Sequence, residues 1–176
     1  MALRVWAGLA LASSFAVMIG VGFAAEPKLE LLGTFKDWHV YTTGTGANRL
    51  CYALAEPLQT NPANLKRDQV FFLISTWPGK KVRNEPSVVP GYQYKDMSQA
   101  EAQVGSDKFA FYTKNEGAKG GAWLDKPEDE KKLIDAMKRG SAMTIIGTST
   151  RGNLTRDNYS LAGLSAALEK IDMSCK

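Results

Sequence analysis

DQVFFLISTWPGKKVRNEPSVVPGY, residues 68–92, decides how the rest of the chain is read. Its apolar run Val70-Phe71-Phe72-Leu73-Ile74 is rich in aromatic and β-branched residues and is too short for a helix of ordinary length. The run predicts a strand near the middle of a sheet, buried on both faces. It ends at Trp77-Pro78-Gly79-Lys80, where proline presets one turn position and glycine tolerates positive φ at the next, the signature of a type II turn. The chain returns as Val82-Arg83-Asn84-Glu85, interrupted by Pro86 and stopped by Pro90-Gly91. Proline cannot donate to a ladder, so this arm belongs at an edge or carries a bulge. The unit is a hairpin with one arm in the core and one rich in charge.

Upstream, Phe35-Lys-Asp-Trp-His-Val-Tyr41 alternates, setting Trp38 and Val40 toward the core and His39 on the other side. The residues up to Leu32 read as a lead-in. Turn-rich residues 42–48 precede a returning strand over 49–55, and 57–66, with two prolines and two asparagines, reads as a loop. Downstream, 101–104 and 108–112 are strands joined by the tight-turn sequence Gly105-Ser106-Asp107. Residues 115–121 read as a flexible glycine-rich loop before a short strand at Ala122-Trp123-Leu124.

Asp125 with Glu128 resembles a capping box, and Pro127 falls where a missing N–H costs little. Glu128-Asp129-Glu130 at the start and Lys138-Arg139 at the end complement the helix dipole, which accounts for the acidic triplet without a metal. Gly140 is placed as a left-handed cap. Residues 143–148 and 154–159 form a hairpin. Ser160 then caps a last helix whose stripe is Leu161, Leu164, Leu168, Ile171 and Cys175. Many short strands, two short helices and few crossovers predict a mainly β protein: an antiparallel β-sandwich or barrel-like sheet with two short peripheral helices.

The chain of 176 residues opens with the short basic start Met1-Ala2-Leu3-Arg4, followed by an uncharged stretch from Val5 to Phe23 and the small-residue pattern Gly22-Phe23-Ala24. This pattern predicts a signal peptide over 1–24, cleaved after Ala24, and a single domain over 25–176. An uncleaved membrane anchor is the alternative, but no basic stop-transfer cluster follows the stretch. Export places the protein in the periplasm or outside the cell. There, two cysteines, Cys51 and Cys175, favour a disulfide over a metal pair, with two separate buried thiols as the alternative. Closing so long a loop is worth at most about 5 kcal/mol. The formal charge of +4 falls by the one unit of Arg4 on cleavage, and basic residues have acidic neighbours, which argues against a nucleic-acid partner.

His39 is the single histidine, and no nucleophile elbow, phosphate loop, dinucleotide fingerprint or Cys-x-x-Cys occurs. Nothing in the chain calls for a cofactor or marks a catalytic residue. A periplasmic hydrolase using paired carboxylates is the competing class, since such pairs are spatial and leave no sequence spacing. The exposed aromatic and charged residues of the hairpin, Trp77, Lys80, Lys81, Arg83, Glu85 and Tyr92, form a candidate interaction face for a protein or envelope component. Arg83 and Glu85, two apart on one strand face, would otherwise make a local ion pair.

Four motifs, GTFKDWHV (33–40), CYAL (51–54), the stretch from STWP (75–78) to VRNE (82–85), and YSLAGLSAAL (159–168), together resemble the invasion-associated locus B family. The resemblance runs from about Gly33 to Cys175. It implies an exported, β-rich envelope protein of Gram-negative bacteria. Founding members are linked to host-cell invasion, whereas many relatives occur in bacteria that invade nothing. It implies no catalytic residue. Founding members carry a cysteine just after the Asp-Trp strand and a further pair mid-chain. Here Thr42-Thr43 and residues 114–121 stand in those places, which adds weight to pairing Cys51 with Cys175.

Overall fold

The computed structural model describes residues 28–176; the expected signal peptide and its cleavage site lie outside them. Eleven strands are formed among these residues. They are β1 (Glu30–Phe35), β2 (Trp38–Thr43), β3 (Leu50–Ala55), β4 (Gln59–Asn61), β5 (Phe71–Trp77) and β6 (Val82–Val89), then β7 (Gln99–Val104), β8 (Asp107–Glu116), β9 (Lys119–Trp123), β10 (Ala142–Thr148) and β11 (Leu154–Ser160). Helix α1 (Pro127–Arg139) lies between β9 and β10, and α2 (Leu164–Ser174) follows β11.

The strands make one antiparallel sheet in the order β1-β2-β3-β5-β6-β9-β8-β7-β10-β11-β4. The sheet is open, with β1 and β4 at its edges, and it folds over on itself as a sandwich. The indole Nε1 of Trp38 on β2 donates to the carbonyl of Ser160 on β11 (3.1 Å), and the rings of Phe72 and Tyr159 meet at 6.0 Å. The antiparallel β-rich class expected from the sequence is thus the class observed. Trp38, Val40, Phe72, Ile74, Phe111, Tyr159 and the apolar sides of both helices fill the space between the halves.

The hairpin of residues 68–92 departs from its expectation in instructive ways. On β5, Phe72, Ile74 and Thr76 are buried, but Phe71, Leu73, Ser75 and Trp77 are only half-buried. One face of the strand is therefore in the core and the other is the outside of the sheet. The connection is a 3-10 turn (Pro78–Lys80) rather than a type II turn, and the left-handed residue is Lys81 at φ 58°. Gly79 is needed for proximity instead, because a Cβ there would lie 1.9 Å from the carbonyl oxygen of Ala47. Of the alternatives Pro86 left open, the bulge is observed. Ser75 pairs with Glu85 but Trp77 with Val82, and Asn84 adopts φ 54° with its N–H donated to Thr76 Oγ1 (3.1 Å).

The lead-in is strand β1, separated from β2 by a two-residue turn in which Lys36 has φ 52°. The loop 57–66 contributes β4, which pairs with β11. Residues 115–121 are a tight hairpin between β8 and β9 rather than a loose loop. Helix α1 begins behind Lys126, not Asp125, and makes no side-chain cap. Gly140 is extended (φ −85°, ψ 167°), so the left-handed cap is absent there; a Cβ would approach Val104 Cγ1 to 2.7 Å. Ser160 stays in β11, and α2 starts after Gly163 at φ 94°, where a Cβ would strike the carbonyl oxygen of Phe35 at 1.9 Å. Leu161, Leu164, Leu168, Ile171 and Cys175 are all buried, so the apolar stripe holds although its first member precedes the helix.

Candidate binding surfaces and a buried ion pair

The turn end of the β5–β6 hairpin gathers four of the six residues of the candidate face. Lys80 Nζ lies 3.4 Å from the centre of the Trp77 ring, a cation–π contact. Lys81 and Arg83 follow on the same turn. The Trp77 ring borders a cavity of about 820 Å³ that Thr42, Thr45, Asn48 and Arg49 also line. Trp77 Nε1 and Arg49 Nε are buried there without a hydrogen-bond acceptor among the described residues. A buried N–H left unpaired costs about 1–3 kcal/mol, so both donors favour an incoming acceptor.

Arg83 does not pair with Glu85. Its guanidinium donates to Asp172 on α2 (2.8 Å), an exposed bridge of small energetic value. Glu85 faces Glu130 on α1 instead; burial first, and the Glu85 charge second, raise the Glu130 carboxyl from its ordinary value. Tyr92 is separate from the others, beyond the far end of β6. Its hydroxyl is 2.7 Å from Thr155 Oγ1, which itself donates to the Gly147 carbonyl (3.3 Å).

Around Tyr92 lies a constellation that sequence reading missed. Arg67 forms a bidentate ion pair with Asp157, donating from NH1 to Oδ2 (2.9 Å) and from NH2 to Oδ1, and NH1 also donates to the carbonyl of Pro90 (3.1 Å). Both side chains are nearly inaccessible, at 6% and 2% exposure. The guanidinium lies 5.9 Å from the centre of the Tyr92 ring. Thr155, Asp157 and Tyr159 alternate inward along β11 while Leu154 and Arg156 face out. A carboxylate on an inward face was a signal in the sequence; Arg67, in a loop, gave none. Two adjoining cavities of about 330 and 320 Å³ flank this network and share Asp68, Gly91, Tyr92 and Ala118.

Burial pushes the hydroxyls of Tyr92, Tyr94 and Tyr159 up from a tyrosine's ordinary value near 10. A group raised on folding contributes stability that is intact below its unfolded value and is lost as pH climbs through the folded one. Spectrophotometric titration at 295 nm is therefore expected to show Tyr94 and Tyr159, two of the six tyrosines, ionising only as the protein unfolds above about pH 10. A reversible native titration of all six would contradict the packing described.

Cys51 on β3 and Cys175 just past α2 are joined, with Cα atoms 6.0 Å apart, and bury to 0% and 2% exposure. Among the described residues no helix is long and apolar enough to cross a membrane, and no three His, Cys, Asp or Glu side chains are grouped to hold a metal ion. His39 Nδ1 meets Thr34 Oγ1 (3.0 Å) on the outside of the sheet.

Fold and motifs define an antiparallel sandwich whose terminal helix is tethered to an early strand. The family model described as "Invasion associated locus B (IalB) protein" matches residues 38–172, and the chain belongs to that family. Among solved structures it is similar to the invasion associated protein B of Bartonella henselae, with a TM-score of 0.53 and 13% identity over 82% of this chain and 98% of that one. At that identity the likeness speaks for the fold. No curated protein matches the sequence.

Proposed function

We propose that the protein is an exported, non-enzymatic binding protein of the Gram-negative cell envelope. In this reading the signal peptide is removed after Ala24, leaving 25–176 as one domain in the periplasm or released from the cell. The turn end of the β5–β6 hairpin presents itself to an acidic protein or envelope component, in support of host-cell contact or envelope integrity. Family membership supports the compartment, and the Cys51–Cys175 bond suits an oxidising one. The observation that carries the binding reading is the pair of unpartnered donors, Trp77 Nε1 and Arg49 Nε, beside a cavity lined by Lys28, Arg49 and one acid, Glu30, with the Lys80 ammonium over the Trp77 ring. An acidic group entering there satisfies both N–H groups and meets positive charge.

Immobilised protein is expected to retain a component from solubilised envelope that is released by moderate salt. Trp77→Phe with Arg49→Met removes the two donors while keeping most of the volume. Retention should fall about tenfold, the worth of one charge-assisted hydrogen bond. Undiminished retention by the folded double variant would exclude this surface.

A further inference from the structure

The outer face of the sheet carries two stacked aromatic pairs. Tyr112 on β8 and Trp123 on β9 are register partners with ring centroids 6.0 Å apart and planes 30° apart. Tyr41 on β2 and Tyr52 on β3 are likewise partners, at 5.5 Å and 25°. Partners directly across antiparallel strands share a face. Phe72, Ile74, Val88, Phe111 and Ala122 occupy the buried face, so these four rings and their neighbours point the other way.

Register joins the pairs into one strip. Tyr112 leads to Trp123, Trp123 to Ser87, Ser87 to Leu73 and Leu73 to Leu54. Tyr52 stands two residues before Leu54 on the same side of β3. At about 4.8 Å per strand and 3.4 Å per residue, Tyr52 and Trp123 are roughly 16 Å apart. The floor between them is aliphatic and hydroxylated, through Leu54, Leu73, Ser75 and Ser87. The Trp123 indole reaches over Gly121, its neighbour on the face, where a Cβ would come within 2.3 Å of the ring. Tyr112 remains 45% exposed.

We infer that this strip binds a run of pyranose rings in an uncharged stretch of polysaccharide. Sugar rings have apolar C–H faces that stack on aromatic planes, and their hydroxyls suit Ser75, Ser87 and Gln99, the register partner of Tyr112. Charge points the same way. Lys114 beside the strip is bonded to Glu116 (2.8 Å), and Glu85 borders the other side, so the cationic track that single-stranded nucleic acid needs is missing from it. A protein partner would bring anchors that need deep pockets, and none of the cavities described above is lined by these four rings. The Trp77 ring lies on this same face, two residues beyond Ser75 on β5, but the inference is argued from the two aromatic pairs and not from the function proposed above.

The test uses the purified, disulfide-bonded protein with chitotetraose, cellotetraose and isolated peptidoglycan sacculi as probes. Saturable binding of at least one, with a change in tryptophan emission for the soluble probes, is expected. Tyr112→Ala and Trp123→Ala should each weaken it about three- to tenfold, the scale of one stacked ring. Met173→Ala, at an exposed position on α2, should leave it unchanged. Tyr112 is exposed enough that its truncation leaves the fold intact by circular dichroism, which keeps the result decisive even if Trp123→Ala misfolds. Failure of all three probes to bind at millimolar concentration, or binding indifferent to Tyr112→Ala, would overturn the inference.

Discussion

Asp157→Ala is expected to cost about 3–5 kcal/mol of folding free energy, because it leaves the Arg67 guanidinium buried without its counter-charge. For a domain of this size the loss corresponds to a fall in Tm of roughly 6–20 °C. The remaining acceptor, the carbonyl of Pro90, satisfies one N–H of Arg67 and none of its charge. Chemical denaturation of the purified variant measures the effect. The double variant Arg67→Met/Asp157→Leu should recover most of the loss, since exchanging a buried ion pair for apolar side chains of similar volume is commonly neutral or favourable. A single-variant cost under about 1 kcal/mol, the range of solvent-screened pairs, would show that water reaches the site.

Loss of the disulfide is the second large effect. It joins residues 124 apart in sequence, and the chain-entropy description gives about 5 kcal/mol as an upper figure for such a loop, with 2–5 kcal/mol lost when native bridges are removed from small secreted domains. Cys51→Ala/Cys175→Ala should therefore melt well below the parent, with the C-terminal end of α2 losing amide protection first. Thiol titration of the parent protein, denatured but unreduced, should detect almost no free sulfhydryl. Two per molecule would mean that the bond does not form in the cell, and would remove the main physical support for an oxidising compartment.

Strands with strict alternation, such as β2 with Trp38 and Val40 inward, were legible in sequence because period two fixes a face without knowledge of any partner. The stripe from Leu161 to Cys175 was legible for the same reason at a helical period. Glycine roles were misread where the constraint was another segment's proximity rather than local φ. Gly79 answers to Ala47 and Gly140 to Val104, contacts between distant segments that composition does not encode. Strand β4 is three residues long and exists by pairing with β11, so local propensity had little to show. The apolar run of β5 suggested burial on both sides; its outward residues are half-covered by their sheet neighbours, an arrangement with the same composition. Of the candidate face, Trp77, Lys80, Lys81 and Arg83 lie together at the turn end of the hairpin. Tyr92 was grouped with it by nearness in sequence, although the length of β6 carries it to the other end.

The long-range ties described above share a direction. Trp38, Cys51, strand β4, Arg67 and Arg83, all from the first half of the chain, find Ser160, Cys175, β11, Asp157 and Asp172 in its final stretch. A polypeptide threaded across a membrane N-terminus first must therefore wait for its tail before any of these closures is made. Until then the leading half carries an unpaired β4, an uncompensated guanidinium and a lone thiol. Non-local closure of this kind slows folding. For the exported protein proposed above, the same delay would keep the chain loose enough to be translocated and would make the last segment to arrive the one that locks the whole.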